Sequence, residues 1–265
     1  MKLKEIYGPI NKEIGELDRK LKDLYKEIEG DEIKAIIEYF FKSSGKYLRP
    51  SLAFLSAGAV SNGARIDKEK LIQLGMSLEL LHSASLIHDD IIDEDLMRRG
   101  QKTVNNVFGN KIAVLAGDIF HAYSYALLSK NFHKDFSEEV TKLSIDMCRA
   151  EILQASGISN DENYYEMIKG KTALFTSTCC KLGALVGNAT ESETKHLEDF
   201  GLYFGFAYQI KDDFSDDDLP IGISVTLDEA DTYAEMAKKS AMGLGDNDYT
   251  KMLCKLVDVV ISKEY

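Results

Sequence analysis

Residues 67–95 read DKEKLIQLGMSLELLHSASLIHDDIIDED. Leu71, Ile72, Leu74, Met76, Leu78, Leu80, Leu81, Leu86 and Ile87 put apolar side chains on most sides of a helix, and such a helix belongs in the centre of a bundle. Asp67 has the chemistry of an N-cap. The far end is different: five acids fall within residues 89–95. One stretch therefore predicts a buried helix with concentrated negative charge at its end.

The same helical spacing recurs along the chain, and alternating strand patterns are nearly absent. Only Pro9, Pro50 and Pro220 interrupt 265 residues, which permits long helices. The spacing predicts helices over 10–29, 31–43, 50–60, 67–95, 111–131, 136–156, 161–187, 191–218, 226–243 and 246–264. Within 197–213, Gly201 and Gly205 stand four apart and predict the close approach of a neighbouring backbone or ligand chain. With no repeat or linker, residues 1–265 read as one all-α domain.

Asp89 and Asp93 are i, i+4 and share a helix face, with Asp90 alongside. Carboxylates that close raise one another's pKa unless a cation neutralises them, and a hard divalent ion such as Mg2+ suits oxygen ligands. A run of acids at a helix end is ordinarily a solvated face. Here the spacing recurs, as Asp212, Asp213 and Asp216, again after an apolar helix, with Gln209 one turn earlier. Two DDxxD clusters facing each other predict several Mg2+ ions, and a diphosphate is the ligand such ions would share.

Cationic residues fit the same picture. Lys46 and Arg49 lie three apart in GKYLRP (45–50), Arg98 and Arg99 follow the first acidic cluster, and Lys171 and Thr172 sit mid-helix in an apolar stretch. Arginine forks onto phosphate and lysine acts as a point charge. A lysine in such a stretch needs a counterion, for which a phosphate would serve. His82, seven residues before Asp89, shares its helix stripe.

Taken together, GKYLRP (45–50), LHSASLIHDDIID (81–93), RRG (98–100), LAGDIF (115–120), KTALF (171–175) and YQIKDDFSD (208–216) resemble the trans-isoprenyl diphosphate synthases, or polyprenyl synthetase family. The resemblance implies the all-α isoprenoid synthase bundle around a central cavity, usually as a homodimer. It implies joining of isopentenyl diphosphate, head to tail, to an allylic diphosphate (dimethylallyl, geranyl or farnesyl). Asp89, Asp90 and Asp93, helped by Asp212, Asp213 and Asp216, would hold Mg2+, with Mn2+ as a substitute. Arg98, Lys171 and Thr172 would touch the allylic diphosphate, with Gln209 nearby. Lys46, Arg49, His82 and Arg99 would bind isopentenyl diphosphate. The small Ala84 and Ser85 leave a growing chain room along the central helix. Leu81 lies deeper, Phe120 and Tyr123 are candidate floor residues, and Gln154 suits longer products, so a product of C20 or more is expected.

The chain also departs from that pattern. After Asp216 comes DDLPIGI (217–223), without the family's Gly-Lys loop, and 226–264 resembles the family's last helices, as if the middle were deleted. A second reading follows: a weakly active or non-catalytic subunit, partnered in a heteromer by a full-length synthase. A class I terpene cyclase does not fit, because Ser/Thr and Glu are missing at four and eight residues beyond Asp213.

The formal charge of −12 disfavours nucleic acid as partner. Residues 211–231 hold eight acids against Lys211 alone, so much of that charge is concentrated near the second cluster. Four cysteines without zinc spacing, no apolar leader, and no stretch near about 18 uninterrupted apolar residues lead to an expectation of a cytoplasmic chain without a transmembrane segment.

Overall fold

The computed structural model describes residues 3–43, 45–61 and 66–262. Its helices are α1 (Leu3–Ile6), α2 (Asn11–Asp23), α3 (Asp31–Phe41), α4 (Leu48–Val60), α5 (Lys68–Ile92), α6 (Val104–Phe108), α7 (Asn110–Asn131), α8 (Lys134–Ala155), α9 (Asp161–Ile168), α10 (Leu174–Val186), α11 (Glu191–Asp216), α12 (Leu227–Met242) and α13 (Asp248–Ser262). A two-residue antiparallel hairpin pairs β1 (Met97–Arg98) with β2 (Gln101–Lys102).

α5 is the central helix that its sequence predicts. The Asp67 carboxylate accepts from the Lys70 backbone N–H, capping it, and Leu74, Leu78, Leu80, Leu81, Ala84 and Ile87 are fully buried. Its largest contact is with α7, and α2, α4 and α10 also touch it. Ser77 and Ser124 lock α5 to α7 through reciprocal buried hydrogen bonds to backbone carbonyls at 3.1 and 2.9 Å. α10 lies between α4 and α11, and α12 covers the outer side of α11. Gly201 and Gly205 confirm the predicted close approach: an added Cβ would lie 2.5 Å from the Thr176 carbonyl oxygen and 2.4 Å from Ala173 Cα. A smaller apolar cluster with Tyr164, Met167, Ile168, Phe206, Ile210 and Ala230 seats α9 and α12 against α11.

Several boundaries differ from the sequence reading. The 10–29 helix ends at Asp23 and tightens into a 3-10 turn, Leu24–Glu27. α5 stops at Ile92, with Asp93 as its C-cap and Glu94 left-handed (φ 55°), so the last acids leave the helix and turn toward the hairpin. The 161–187 helix contains a π-helical turn, Lys169–Ala173. Ser44 and the end of the predicted 246–264 helix lie outside the described residues. Among the described residues, α7 has the length and composition of a membrane-crossing helix, although uninterrupted apolar runs gave no such candidate; only 33% of its most apolar window is buried.

Candidate active site

One cavity of about 1330 Å³ opens where the ends of α5, α8 and α11 meet the start of α4. Its lining includes Asp89, Asp93, Asp212 and Asp213, and also Lys46, Arg49, His82, Arg99, Lys171, Thr172 and Gln209. Residues more than 160 positions apart thus share one space. Asp90 and Asp216 are not in its wall. Asp90 is buried and pairs with Arg98, whose guanidinium also reaches Asp95 at 3.3 Å. Arg98 does line the cavity, but in this arrangement its charge is spent on two carboxylates. The loop carrying it is fixed by Asn105, which donates to the backbone oxygens of Asp90 and Asp95, each at 3.1 Å.

The acidic side is electrostatically unfavourable as it stands. Burial, then the neighbouring Glu151 carboxylate, pushes Asp89 up to about 7, with Lys171 opposing. Lys171 meets Glu151 at 2.7 Å and Gln154 at 2.9 Å, so its counterion here is a carboxylate of α8 and not the expected phosphate. The π turn bears on this geometry. Lys171 and Thr172, both in that turn, line the cavity, and π-bulges commonly occur at functional sites. Among the described residues no three acidic, imidazole or thiol groups converge as a ready-made metal cage. The donor set still suits Mg2+, which typically takes one or two carboxylates and completes its shell with water and phosphate oxygen.

On the cationic side Lys46 and Arg99 are exposed and Arg49 is half-buried. Arg49 lies over Phe175, with its guanidinium carbon 4.8 Å from the ring centroid. Arg49 Nη1 donates to His82 Nε2 at 3.0 Å. Since arginine only donates, Nε2 accepts and the imidazole proton sits on Nδ1. Burial, then the positive charge of Arg49, holds His82 well below the usual histidine range. Arg49 Nε and His82 Nδ1 are both buried N–H donors without a hydrogen-bond partner. Two unpaired donors beside a half-buried charge are a strong physical demand for an anion. The Arg99 guanidinium lies so close to Gly45 that a Cβ there would sit 2.6 Å from it, which brings the GKYLRP and RRG segments together.

Sequence reasoning missed Glu79, Glu151, Tyr164 and His121. Glu79, one turn before His82, lines the cavity at 4% exposure; burial pushes it up to about 7, against the pull of Arg49 and Arg99. An acid inside an apolar helical run was the available signal. Of the chain-length candidates, Ser85 lines the cavity, whereas Ala84, Leu81, Phe120 and Tyr123 do not. Phe120 stacks on Phe41 (5.6 Å between centroids) in the core, and the next residue, His121, faces the cavity instead. Ser144, Met147 and Cys148 of α8 complete that side, with Tyr125 Oη donating to Ser144 Oγ at 2.5 Å.

The chain resembles proteins already known. The sequence profile described as polyprenyl synthetase matches residues 30–218, and the chain belongs to that family. A short chain isoprenyl diphosphate synthase from Methanothermobacter thermautotrophicus is 32% identical over 208 residues, covering 75% of this chain and 62% of the relative. Component 2 of a heptaprenyl diphosphate synthase from Geobacillus stearothermophilus is 31% identical over 220 residues, covering 82% and 67%. The chain thus spans about two thirds or less of these relatives' length. The solved geranylgeranyl pyrophosphate synthetase of Geoglobus acetivorans superposes with a TM-score of 0.84 at 26% identity, covering 95% of this chain and 99% of that one. The fold is therefore the all-α isoprenoid synthase bundle.

Proposed function

We propose that this chain is a prenyltransferase joining isopentenyl diphosphate head to tail to an allylic diphosphate, with Mg2+ bound, to give a trans-polyprenyl diphosphate of C20 or longer. The observation that carries this reading is the division of one cavity into an acidic wall (Asp89, Asp93, Asp212, Asp213) and a cationic wall (Lys46, Arg49, Arg99). A metal-bridged diphosphate suits the first, and a second diphosphate suits the second. Asp89, Asp93, Asp212 and Asp213 would hold Mg2+, and the chemistry it supplies is neutralisation of the departing diphosphate's charge. Lys171 and Thr172 would orient the allylic diphosphate so that its C–O bond electrons leave with the diphosphate. Lys46, Arg49, Arg99 and the Nδ1–H of His82 would hold the second substrate, whose double bond attacks the allylic carbon. The cation so formed then loses a proton to the released diphosphate and regains a double bond. Leu86, Ile92 and Met147 give the cavity apolar surface that keeps water from the carbocation.

The test is incubation of the purified chain with Mg2+, isopentenyl diphosphate and each allylic primer, followed by sizing of the products. Failure to elongate any primer would sink the reading. Ser85, one turn before Asp89, is half-buried in the cavity wall. Ser85→Phe is expected to shift products toward shorter chains by filling that level of the cavity, and an unchanged length distribution refutes this.

A second reading, a subunit of a heteromeric synthase, is favoured by the similarity to a relative described as component 2. Both readings place another prenyl synthase chain on the exposed apolar surface of α7 and its surroundings, where Ile112, Leu115, Leu96 and Met97 are 39–63% exposed. Sedimentation velocity on the chain alone should give a dimer if it self-associates; a single-chain species even at high concentration contradicts the homodimer.

A further inference from the structure

Asp213 enters the cavity with both carboxylate oxygens already held. Tyr164 Oη donates to Oδ2 at 2.6 Å, and Gln209 Nε2 donates to Oδ1 at 2.7 Å. The other end of that amide is used as well, since Thr172 Oγ1 donates to Gln209 Oε1 at 2.6 Å. The chain of contacts therefore runs from α9 through α11 to the π turn: Tyr164, Asp213, Gln209, Thr172. Only one orientation of the Gln209 amide satisfies both of its neighbours.

Tyr164 has no exposed surface and lines no part of the cavity. Its ring belongs to the apolar cluster between α9, α11 and α12, and rests edge-on to Tyr165 at 5.9 Å. A ring fixed in this way makes its hydroxyl a rigid donor. An ionised carboxylate offers about four lone-pair sites, of which Tyr164 and Gln209 take two on opposite oxygens. Those that remain have a fixed direction, because turning the carboxylate plane breaks both bonds.

We propose that Tyr164 is a positioning residue that aims the Asp213 carboxylate at a divalent cation, and that the chain through Gln209 to Thr172 sets the distance between that cation and the segment receiving the diphosphate. This rests on the reading of the cavity as a Mg2+–diphosphate site. Groups that orient a metal ligand without touching the metal are worth roughly 10- to 100-fold in metal affinity.

The experiment is calorimetric titration of Mg2+ into the full chain saturated with inorganic diphosphate. Tyr164→Phe is expected to weaken Mg2+ uptake at least about tenfold, with near-wild-type substrate turnover restored at raised Mg2+. Tyr165→Phe is the control, since Tyr165 Oη donates to Glu229 at 2.8 Å away from the cavity; its Mg2+ affinity should match the wild type. Gln209→Met, which frees the other oxygen from a different side chain, should weaken uptake in the same direction even if the tyrosine variant folds poorly. Equal Mg2+ affinity in wild type, Tyr164→Phe and Gln209→Met overturns the inference while leaving the metal site standing. A wild-type chain that takes up no Mg2+ with diphosphate overturns the metal-site reading and the inference together.

Discussion

Asp89→Ala is expected to lower turnover by about 10³-fold or more while leaving the helical bundle folded. Asp89 occupies the last turn of α5 and shares the cavity wall with Asp93, Asp212 and Asp213. Its nearest charged neighbours are unfavourable on balance: burial and Glu151 push its carboxyl up to about 7, and Lys171 is already engaged by Glu151. A site with that balance gains most when a divalent cation arrives, and the gain is lost with the carboxylate. The thermal readout separates this from general damage. A ligand that binds only the folded state raises stability by an amount set by its concentration relative to its Kd, so Mg2+ with inorganic diphosphate should raise the Tm of the wild type and leave that of Asp89→Ala nearly unmoved. Without ligand the two proteins should melt within a few degrees, since the substitution removes an uncompensated charge. Turnover within tenfold of wild type would show that Asp89 is not where the metal binds.

This division of labour is partly legible in the sequence. The continuous apolar sides of 67–95 fixed α5 as the central helix, and the repeated DDxxD spacing marked the wall that faces the cationic segments. What escaped was anything decided by a single step around a helix or by contact between distant segments. Ala84 was paired with Ser85, yet one residue rotates the side chain by about 100°, so Ser85 meets the cavity and Ala84 is fully buried elsewhere. The same step separates Phe120 from His121. Tyr164 and Asp213 lie 49 residues apart, and no local pattern announces that they meet. The pairing of Asp90 with Arg98 depends on the helix ending at Ile92 and on the short hairpin that follows, where two-residue strands leave no periodicity to read. Arg98 and Asp90 carry opposite charges, and that charge draws them to each other in this structure.

Arg49→Met is expected to raise the KM for isopentenyl diphosphate by about 100-fold and at the same time to stabilise the ligand-free protein by about 1–3 kcal/mol near pH 6. The guanidinium is half-buried over Phe175, its Nε is buried without a partner, and its Nη1 donates to a neutral imidazole. Replacing such a charge by an apolar chain of similar length removes a desolvation cost without opening a large cavity, while the anion loses its main forked donor. The pH profile tests the electrostatics separately. Glu79 stands at about 7 in the folded chain against an ordinary 4.5, with burial raising it and Arg49, then Arg99, pulling it down. A carboxyl whose folded pKa is raised binds its proton more tightly in the native state, so stability falls as pH rises from about 4.5 to about 7 and stays reduced above. Other groups sharing this field are Tyr7 and Cys179, both of which burial holds protonated, and neutral His82. Without Arg49 the Glu79 carboxyl rises further, and the decline extends past pH 7. The Tm advantage of Arg49→Met should therefore be largest near pH 6 and shrink by pH 8. An advantage that stays constant across that window rules out the Arg49–Glu79 coupling, and an unchanged KM removes Arg49 from the second diphosphate site.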